Sequence, residues 1–261
     1  MAWVLAVDVG NTVTRWAALR GGEVVVVGRL PTAVSDGSAL EAGLRDRLVG
    51  WLGGAPREVG VACVVPAVLG PLRQRLAALG APVVAVGPGN QAGLVSAYQP
   101  PEALGPDRIA NAVAARQRFG APCIAVDLGT ALSVEVVDGD GVLRGGLLFP
   151  GVRAAVGALS TAAALLGPAE AGAATRVIGS STGDGIAAGV GWGYPALIDG
   201  LLARIREELG APAPAVLTGG GVRHLAGAPQ AVQARDPHLT LRGIAAIAHA
   251  AGSQDSPHEG G

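Results

Sequence analysis

The sequence of 261 residues predicts an α/β protein that contains one βββαβαβ unit twice. Apolar runs and turn residues recur in the same order in both halves of the chain. Residues 6–10 (AVDVG) in the first half are similar to residues 125–129 (AVDLG) in the second, and each segment ends a strand at the start of a hairpin. Half of all residues are apolar, which is enough to bury a sizeable core. The chain is therefore predicted to be internally duplicated.

The first half begins with three strands that form a meander. Residues 3–9 are an apolar run that stops at Gly10-Asn11, residues 14–19 form a second run, and residues 23–29 follow the Gly21-Gly22 turn. Spacing and flanking residues then predict two helices that alternate with two strands. These are a helix over 38–51, a strand over 59–65, a helix over 68–79 and a strand over 82–86.

The second half repeats the order from Cys123 onward. A strand ends at Leu128, and two more follow over 132–137 and 142–148, separated by the Asp-Gly-Asp-Gly turn at 138–141. The remaining predicted elements are a helix from Val152, a long helix over 184–208, a strand over 215–218 and a closing helix from Gly243.

Two βββαβαβ halves, each with an Asp at the end of its first strand, describe the ribonuclease H-like duplication of the acetate kinase, sugar kinase, Hsp70 and actin-like ATPase superfamily. We predict an N-terminal domain over 1–120 and a C-terminal domain over 121–251. Residues 252–261 are polar and glycine-rich, so a disordered tail is expected.

Composition excludes several classes of partner. The formal charge of −1 and the pI near 6.4 leave no excess of positive charge for a phosphate backbone or an anionic membrane. The N-terminal apolar run lacks a basic region before it and stops at Asp8, too early for a signal peptide or a membrane span. We expect a cytoplasmic protein that binds neither nucleic acid nor membrane.

The basic and sulfur-containing residues also limit the chemistry. All 19 basic residues are arginine, so a P-loop of the form GxxxxGK[ST] is excluded and any phosphoryl transfer must use another scaffold. Cys63 and Cys123 belong to no CxxC motif, which favours buried, reduced thiols over a zinc site or a disulfide.

The first candidate site follows the first strand, at Asp8-Val9-Gly10-Asn11-Thr12. Gly10 permits a tight turn whose backbone N–H groups, with the Thr12 hydroxyl, can face a phosphate. The Asp8 carboxylate can hold Mg²⁺, directly or through water. Arg15 either adds positive charge beside the phosphates or is a solvated strand residue. An ordinary hairpin turn has the same composition.

Two further loops favour a nucleotide site. Residues 127–131 (DLGTA) are the counterpart of the first loop, and two such loops suit transfer by positioning and charge neutralisation. Gly219-Gly220-Gly221 follows a strand and precedes a helix, where backbone without side chains can approach adenosine.

A fourth candidate lies at a predicted helix start, Gly105-Pro106-Asp107-Arg108, with Tyr98 upstream. Asp107 can serve as a general base beside Arg108, a binder of carboxylates, for an acceptor that carries a hydroxyl and a carboxylate. Alternatively, Asp107 only compensates the helix dipole.

Together these motifs resemble the type III pantothenate kinase family from Asp8 to about Gly243. The resemblance also includes residues 61–66 (VACVVP), Gly145-Gly146, Pro150-Gly151, Thr182 and Leu217-Thr218-Gly219-Gly220. It implies ATP-dependent phosphorylation of pantothenate to 4'-phosphopantothenate, the first step of coenzyme A biosynthesis, by a homodimer.

The resemblance also implies a role for each matching residue. Asp107 matches the proton acceptor, and Asp127 matches the ligand of a monovalent cation, K⁺ or NH₄⁺. The ATP contacts would be Asp8, Val9, Gly10, Asn11, Thr12, Val13, Thr14, Arg15 and Thr130. The pantothenate contacts would be Tyr98, Gly105, Pro106, Asp107, Arg108 and Thr182. This chain departs from the family pattern at Ser133, at Glu135 and in a longer segment over 161–168.

Two rival functions follow from the sequence. Residues 179–183 (GSSTG) satisfy G-x-S-x-G before a helix, which would make Ser181 the nucleophile of a serine hydrolase, although Ser181 also suits a helix N-cap. The second rival is a non-catalytic relative that acts as an accessory transcriptional regulator. The absence of an HGGG-type oxyanion loop argues against the hydrolase, and the presence of Asp8, Asp107 and Asp127 favours the kinase over the regulator.

Overall fold

The computed structural model describes residues 2–32, 52–162 and 174–254. Two compact units divide the chain, one of Met1–Ala114 with His238–Gly261 and one of Ala115–Pro237. The helix predicted over 38–51 lies outside the described residues, as does most of the predicted tail.

The first unit contains a five-stranded sheet in the order β3-β2-β1-β4-β5. Strand β2 pairs antiparallel with both β1 and β3, so the predicted meander is confirmed, and β1 also pairs parallel with β4. Its elements are β1 (Val4–Val9), β2 (Val13–Arg20), β3 (Glu23–Pro31), β4 (Glu58–Cys63), α1 (Pro66–Ala77), β5 (Val83–Ala85), β6 (Val95–Ser96) and the start of α2 (Pro106–Phe119).

Burial follows the position of each strand in this sheet. Strand β1 is central and buried from Leu5 to Val9, whereas the edge strand β3 alternates between exposed and half-buried residues. Trp3, Leu5, Val7 and Val9 pack with Leu72 and Leu76 of α1 in the core. The sheet therefore fixes the end of β1, where Asp8 lies.

The second unit repeats the three-stranded meander of the first. Its strands lie in the order β11-β10-β7-β8-β9, with β7 antiparallel to β8 and parallel to β10. Its elements are β7 (Cys123–Leu128), β8 (Ala131–Val137), β9 (Val142–Pro150), α3 (Val152–Ala162), α4 (Thr182–Leu209), β10 (Ala215–Thr218) and β11 (Ala234–Arg235). A short 3₁₀ helix, Gly220–His224, follows the glycine-rich segment.

Among the residues that the structure describes, one helix, α4, is long and apolar enough to span a membrane. Its apolar residues recur every fourth position and pack into the core of the second unit; they are Ile186, Val190, Tyr194, Ile198 and Leu202. A core helix of a soluble protein meets the same criterion, so length and composition are weak support for a membrane span.

The closing helix α5 (Leu239–Gln254) belongs to the first unit, although the sequence grouped it with the C-terminal domain. Helix α5 lies close to β4 because β4 has a glycine, Gly60, at the contact. A Cβ added there would lie 2.7 Å from Cγ2 of Ile244. Gly243 lies against the carbonyl of Ala110, and the Thr240 hydroxyl bonds Oδ1 of Asn111 at 2.9 Å. The helix runs to Gln254, past the predicted start of the tail at Gly252.

Candidate functional site

The end of β1 places Asp8 opposite Arg15 of β2. Asp8 is buried, and its Oδ2 accepts hydrogen bonds from Nη2 of Arg15 at 2.7 Å and from Nε at 3.1 Å. Both donors are charged, so this is a strong pair. The structure therefore gives Arg15 a partner that the sequence analysis did not assign to it.

The turn after Asp8 is stabilised by one hydrogen bond of its own and by two from Thr32. The Gly10 N–H donates to the Val13 carbonyl at 3.2 Å, while Asn11 and Thr12 lie exposed at its tip. Thr32, which directly follows β3, connects this turn to the end of that strand. Its N–H donates to the Thr12 carbonyl at 3.1 Å, and its hydroxyl donates to the Gly10 carbonyl at 2.6 Å.

The start of α2 positions Asp107. Pro106 occupies the first helical position, and the N–H groups of Arg108 and Ile109 both donate to the Gly105 carbonyl at 3.1 Å. Oδ1 of Asp107 accepts from the Arg108 N–H at 2.9 Å and lies 2.6 Å from where a Cβ at Gly105 would stand. Glycine at 105 is thus needed for this carboxylate position.

The side chains of Arg108 and Tyr98 are in contact with each other. The guanidinium of Arg108 lies 5.2 Å from the centroid of the Tyr98 ring, and its Nη1 donates to the Tyr98 hydroxyl at 3.4 Å. Arg108 is buried and Tyr98 is half-buried. This contact holds a cationic group one residue after Asp107.

In the second unit, Asp127 at the end of β7 lies between two glycines. Its Oδ1 is 3.3 Å from an ideal Cβ at Gly129 and would collide with one at Gly219. Gly219 has a φ of +99°, which also favours glycine. The first glycine of the Gly219-Gly220-Gly221 run therefore makes room for the Asp127 carboxylate.

The loop after Asp127 is fixed by Gly151. The Gly151 N–H donates to the Thr130 carbonyl at 3.1 Å, and a Cβ there would collide with the carbonyls of Gly129 and Thr130. Thr130 itself is exposed. The Pro150-Gly151 pair thus supports the second candidate phosphate loop.

At the start of α4, Ser181 is the N-cap and Thr182 is the first helical residue. Oγ of Ser181 accepts from the Asp184 N–H at 3.1 Å, and Oγ of Ser180 donates to Oδ2 of Asp184 at 3.2 Å. These serines lower the pKa of the exposed Asp184 carboxyl, Ser181 more than Ser180. Capping explains the Gly-Ser-Ser-Thr-Gly sequence without a nucleophile.

The role of Thr32 could not be read from the sequence, because Thr32 is 22 residues away from Gly10, whose carbonyl accepts its hydrogen bond. Only the pairing of β2 with β3, which sets Val13 opposite Pro31, brings the two together. The sequence around Thr218 indicates no role for its side chain, yet Thr218 is the register partner of Asp127 and is 2% exposed.

The two units, each with an aspartate at the end of its first strand, have the fold of the actin-like ATPases. Two solved structures share the fold. A conserved Campylobacter jejuni protein provisionally described as a Baf family transcriptional activator gives a TM-score of 0.59 at 19% identity, covering 93% of this chain and 96% of that one. ROK hexokinase from Thermus thermophilus gives 0.51 at 17%, covering 97% and 100%.

The sequence comparisons define the family. Residues 4–204 match the family model for type III pantothenate kinase. A type III pantothenate kinase of Frankia alni is 37% identical over 248 residues, which are 92% of this chain and 96% of the relative. The chain belongs to the type III pantothenate kinase family.

Proposed function

We propose that this chain transfers the γ-phosphoryl group of ATP to the primary hydroxyl of pantothenate, giving 4'-phosphopantothenate and ADP for coenzyme A biosynthesis. The observation that carries the proposal is the family match over residues 4–204, a range that contains Asp8, Asp107 and Asp127. The serine hydrolase alternative loses its support because Ser181 caps α4.

The first unit would supply the main ATP loop, residues 8–15. Backbone N–H groups at the exposed tip and the Thr12 hydroxyl would bind phosphate oxygens. Mg²⁺ bound here would neutralise charge on the phosphates. The donor chemistry of Asp8 fits this ion, and Arg15 already occupies Oδ2, so Asp8 would hold Mg²⁺ through water.

Asp107 would act as the general base. The carboxylate would take the proton of the acceptor hydroxyl as the oxygen bonds the γ-phosphorus and the bond from that phosphorus to ADP breaks. Arg108, oriented by Tyr98, would hold the pantothenate carboxylate, with Gly105 and Pro106 as further acceptor contacts. Asp107 is half-buried, so a substrate can reach it.

Asp127 would bind the monovalent cation, K⁺ or NH₄⁺. The two glycines beside its carboxylate form a cradle that a Cβ would fill, which fits an ion held against backbone. A large, weakly hydrated cation would balance negative charge there without the strict geometry of Mg²⁺.

We also propose that the chain assembles as a homodimer. Exposed large apolar side chains of the second unit, Leu148, Phe149, Leu159 and Trp192, would pack against a second copy in a homodimer. We expect a cytoplasmic enzyme that binds no nucleic acid.

The test is the rate of ADP release with ATP, Mg²⁺, K⁺ and pantothenate, for the wild type and for Asp107→Asn. This substitution keeps the shape and removes proton acceptance, so kcat should fall by about 10² to 10⁴ while ATP affinity stays nearly constant. No turnover by the wild type would favour the regulator alternative. Undiminished kcat in Asp107→Asn, with only a lower melting temperature, would make Asp107 a helix-end residue.

A further inference from the structure

The strand that precedes the glycine-rich segment carries a buried hydroxyl which the proposed function leaves unused. Thr218 ends β10 and is 2% exposed. Its Oγ1 atom is buried and has no hydrogen-bond partner among the residues that the structure describes. A buried hydroxyl without a partner is costly, which indicates a ligand for this oxygen.

Strand register places this hydroxyl beside Asp127. Thr218 pairs with Asp127 in the parallel ladder of β10 and β7. Their neighbours Leu217, Val126 and Leu128 belong to the apolar core, so Thr218 and Asp127 both lie on the opposite face of the sheet. Gly219, which touches the Asp127 carboxylate, is the next residue after Thr218.

We infer that Thr218 supplies a second oxygen, with Asp127, to the monovalent cation site; this rests on the proposed function and extends it. A hydroxyl oxygen adds a ligand without adding charge, which suits an ion that carries a single charge. The absence of a side chain at Gly129 and Gly219 leaves room beside Oδ1 of Asp127. Thr218 thereby gains the partner that its burial requires.

The experiment compares Thr218→Val, which keeps the shape and removes the oxygen, with Thr218→Ser, which keeps the oxygen. Melting temperature is followed while KCl replaces choline chloride at constant ionic strength, with ADP and Mg²⁺ saturating. The affinity for K⁺ should fall about tenfold or more in Thr218→Val, because one ligand is lost, and stay within about threefold in Thr218→Ser.

Melting in choline chloride alone separates this role from a structural one. Thr218→Val should then melt at or above the wild-type temperature, because a methyl group replaces a hydroxyl that lacks a partner. Thr240→Val is the matched control: Thr240 is 3% exposed but bonds Asn111, so this variant should melt lower in both salts with unchanged K⁺ affinity.

Three results would overturn the inference: a wild type that K⁺ does not stabilise, an unchanged K⁺ affinity in Thr218→Val, or equal destabilisation of that variant in both salts. Failure of the proposed function is a different observation, namely a wild type that does not phosphorylate pantothenate. The melting experiment gives its result independently of turnover.

Discussion

Replacing Gly105 with alanine is expected to displace the Asp107 carboxylate while the fold survives. The new Cβ would stand 2.6 Å from Oδ1 of Asp107, and real Cβ atoms essentially never approach another atom within 3.0 Å. The obstructing atom is the end of a flexible side chain, so the carboxylate, and not the backbone, would move.

Gly105→Ala should affect the catalytic rate much more than the stability of the fold. Movement of the carboxylate breaks its bond to the Arg108 N–H, now 2.9 Å long, which costs about 0.5–1.5 kcal/mol of stability. A misplacement of about 1 Å at a reacting group can cost about 10²-fold in rate. Gly105→Ala should therefore lower kcat by about tenfold to 10²-fold and lower the melting temperature only slightly.

The assay is ADP release at saturating ATP and pantothenate, with melting followed by circular dichroism. Gly89→Ala is the matched control, because an added Cβ there meets nothing within 4 Å and should change neither quantity. A kcat for Gly105→Ala within twofold of the wild type would refute the argument that this glycine positions Asp107.

Two other predictions concern the serine motif and the buried thiol. Ser181→Ala removes the cap of α4 and should cost about 1 kcal/mol of stability with kcat nearly unchanged; an inactive enzyme with normal melting would revive the hydrolase alternative. Burial raises the pKa of the Cys123 thiol to about 12, so in a Cys63→Ser background iodoacetamide at pH 8.5 should label Cys123 at least about 10²-fold more slowly when folded than when unfolded. Equal labelling rates in the folded and unfolded states would contradict the burial of this thiol. Because the folded state retains the thiol proton, the contribution of Cys123 to stability should fall as pH rises from the ordinary thiol pKa towards 12.

Local pattern was enough to predict most strands of both units. Residues 142–148 followed a four-residue turn of Asp and Gly, and the observed β9 begins at the same Val142. Alternation and turn chemistry act over a few residues, so they can be read without knowledge of the fold. The start of α2 at Pro106 was predicted for the same reason.

Contacts between distant parts of the chain could not be predicted in this way. The place of α5 depends on Gly60 of β4 and on Gly243 of α5 itself, whose missing side chains have no consequence until the helix lies against β4 and α2. The ion pair of Arg15 with Asp8 depends on a register that the turn between β1 and β2 sets. In the candidate sites, the charged residues could be identified from sequence, but those that hold the loops in place, such as Thr32, could not.

The chain order of α5 has a consequence for synthesis on the ribosome. The helix Leu239–Gln254 is translated after every residue of the second unit, yet it packs on β1 and β4 of the first. During translation the second unit can bury its own core, whereas the sheet of the first keeps the surface around Gly60 uncovered until α5 emerges. The unit that is synthesised first therefore completes its fold last. Its exposed surface is the one that we expect chaperones to bind during translation.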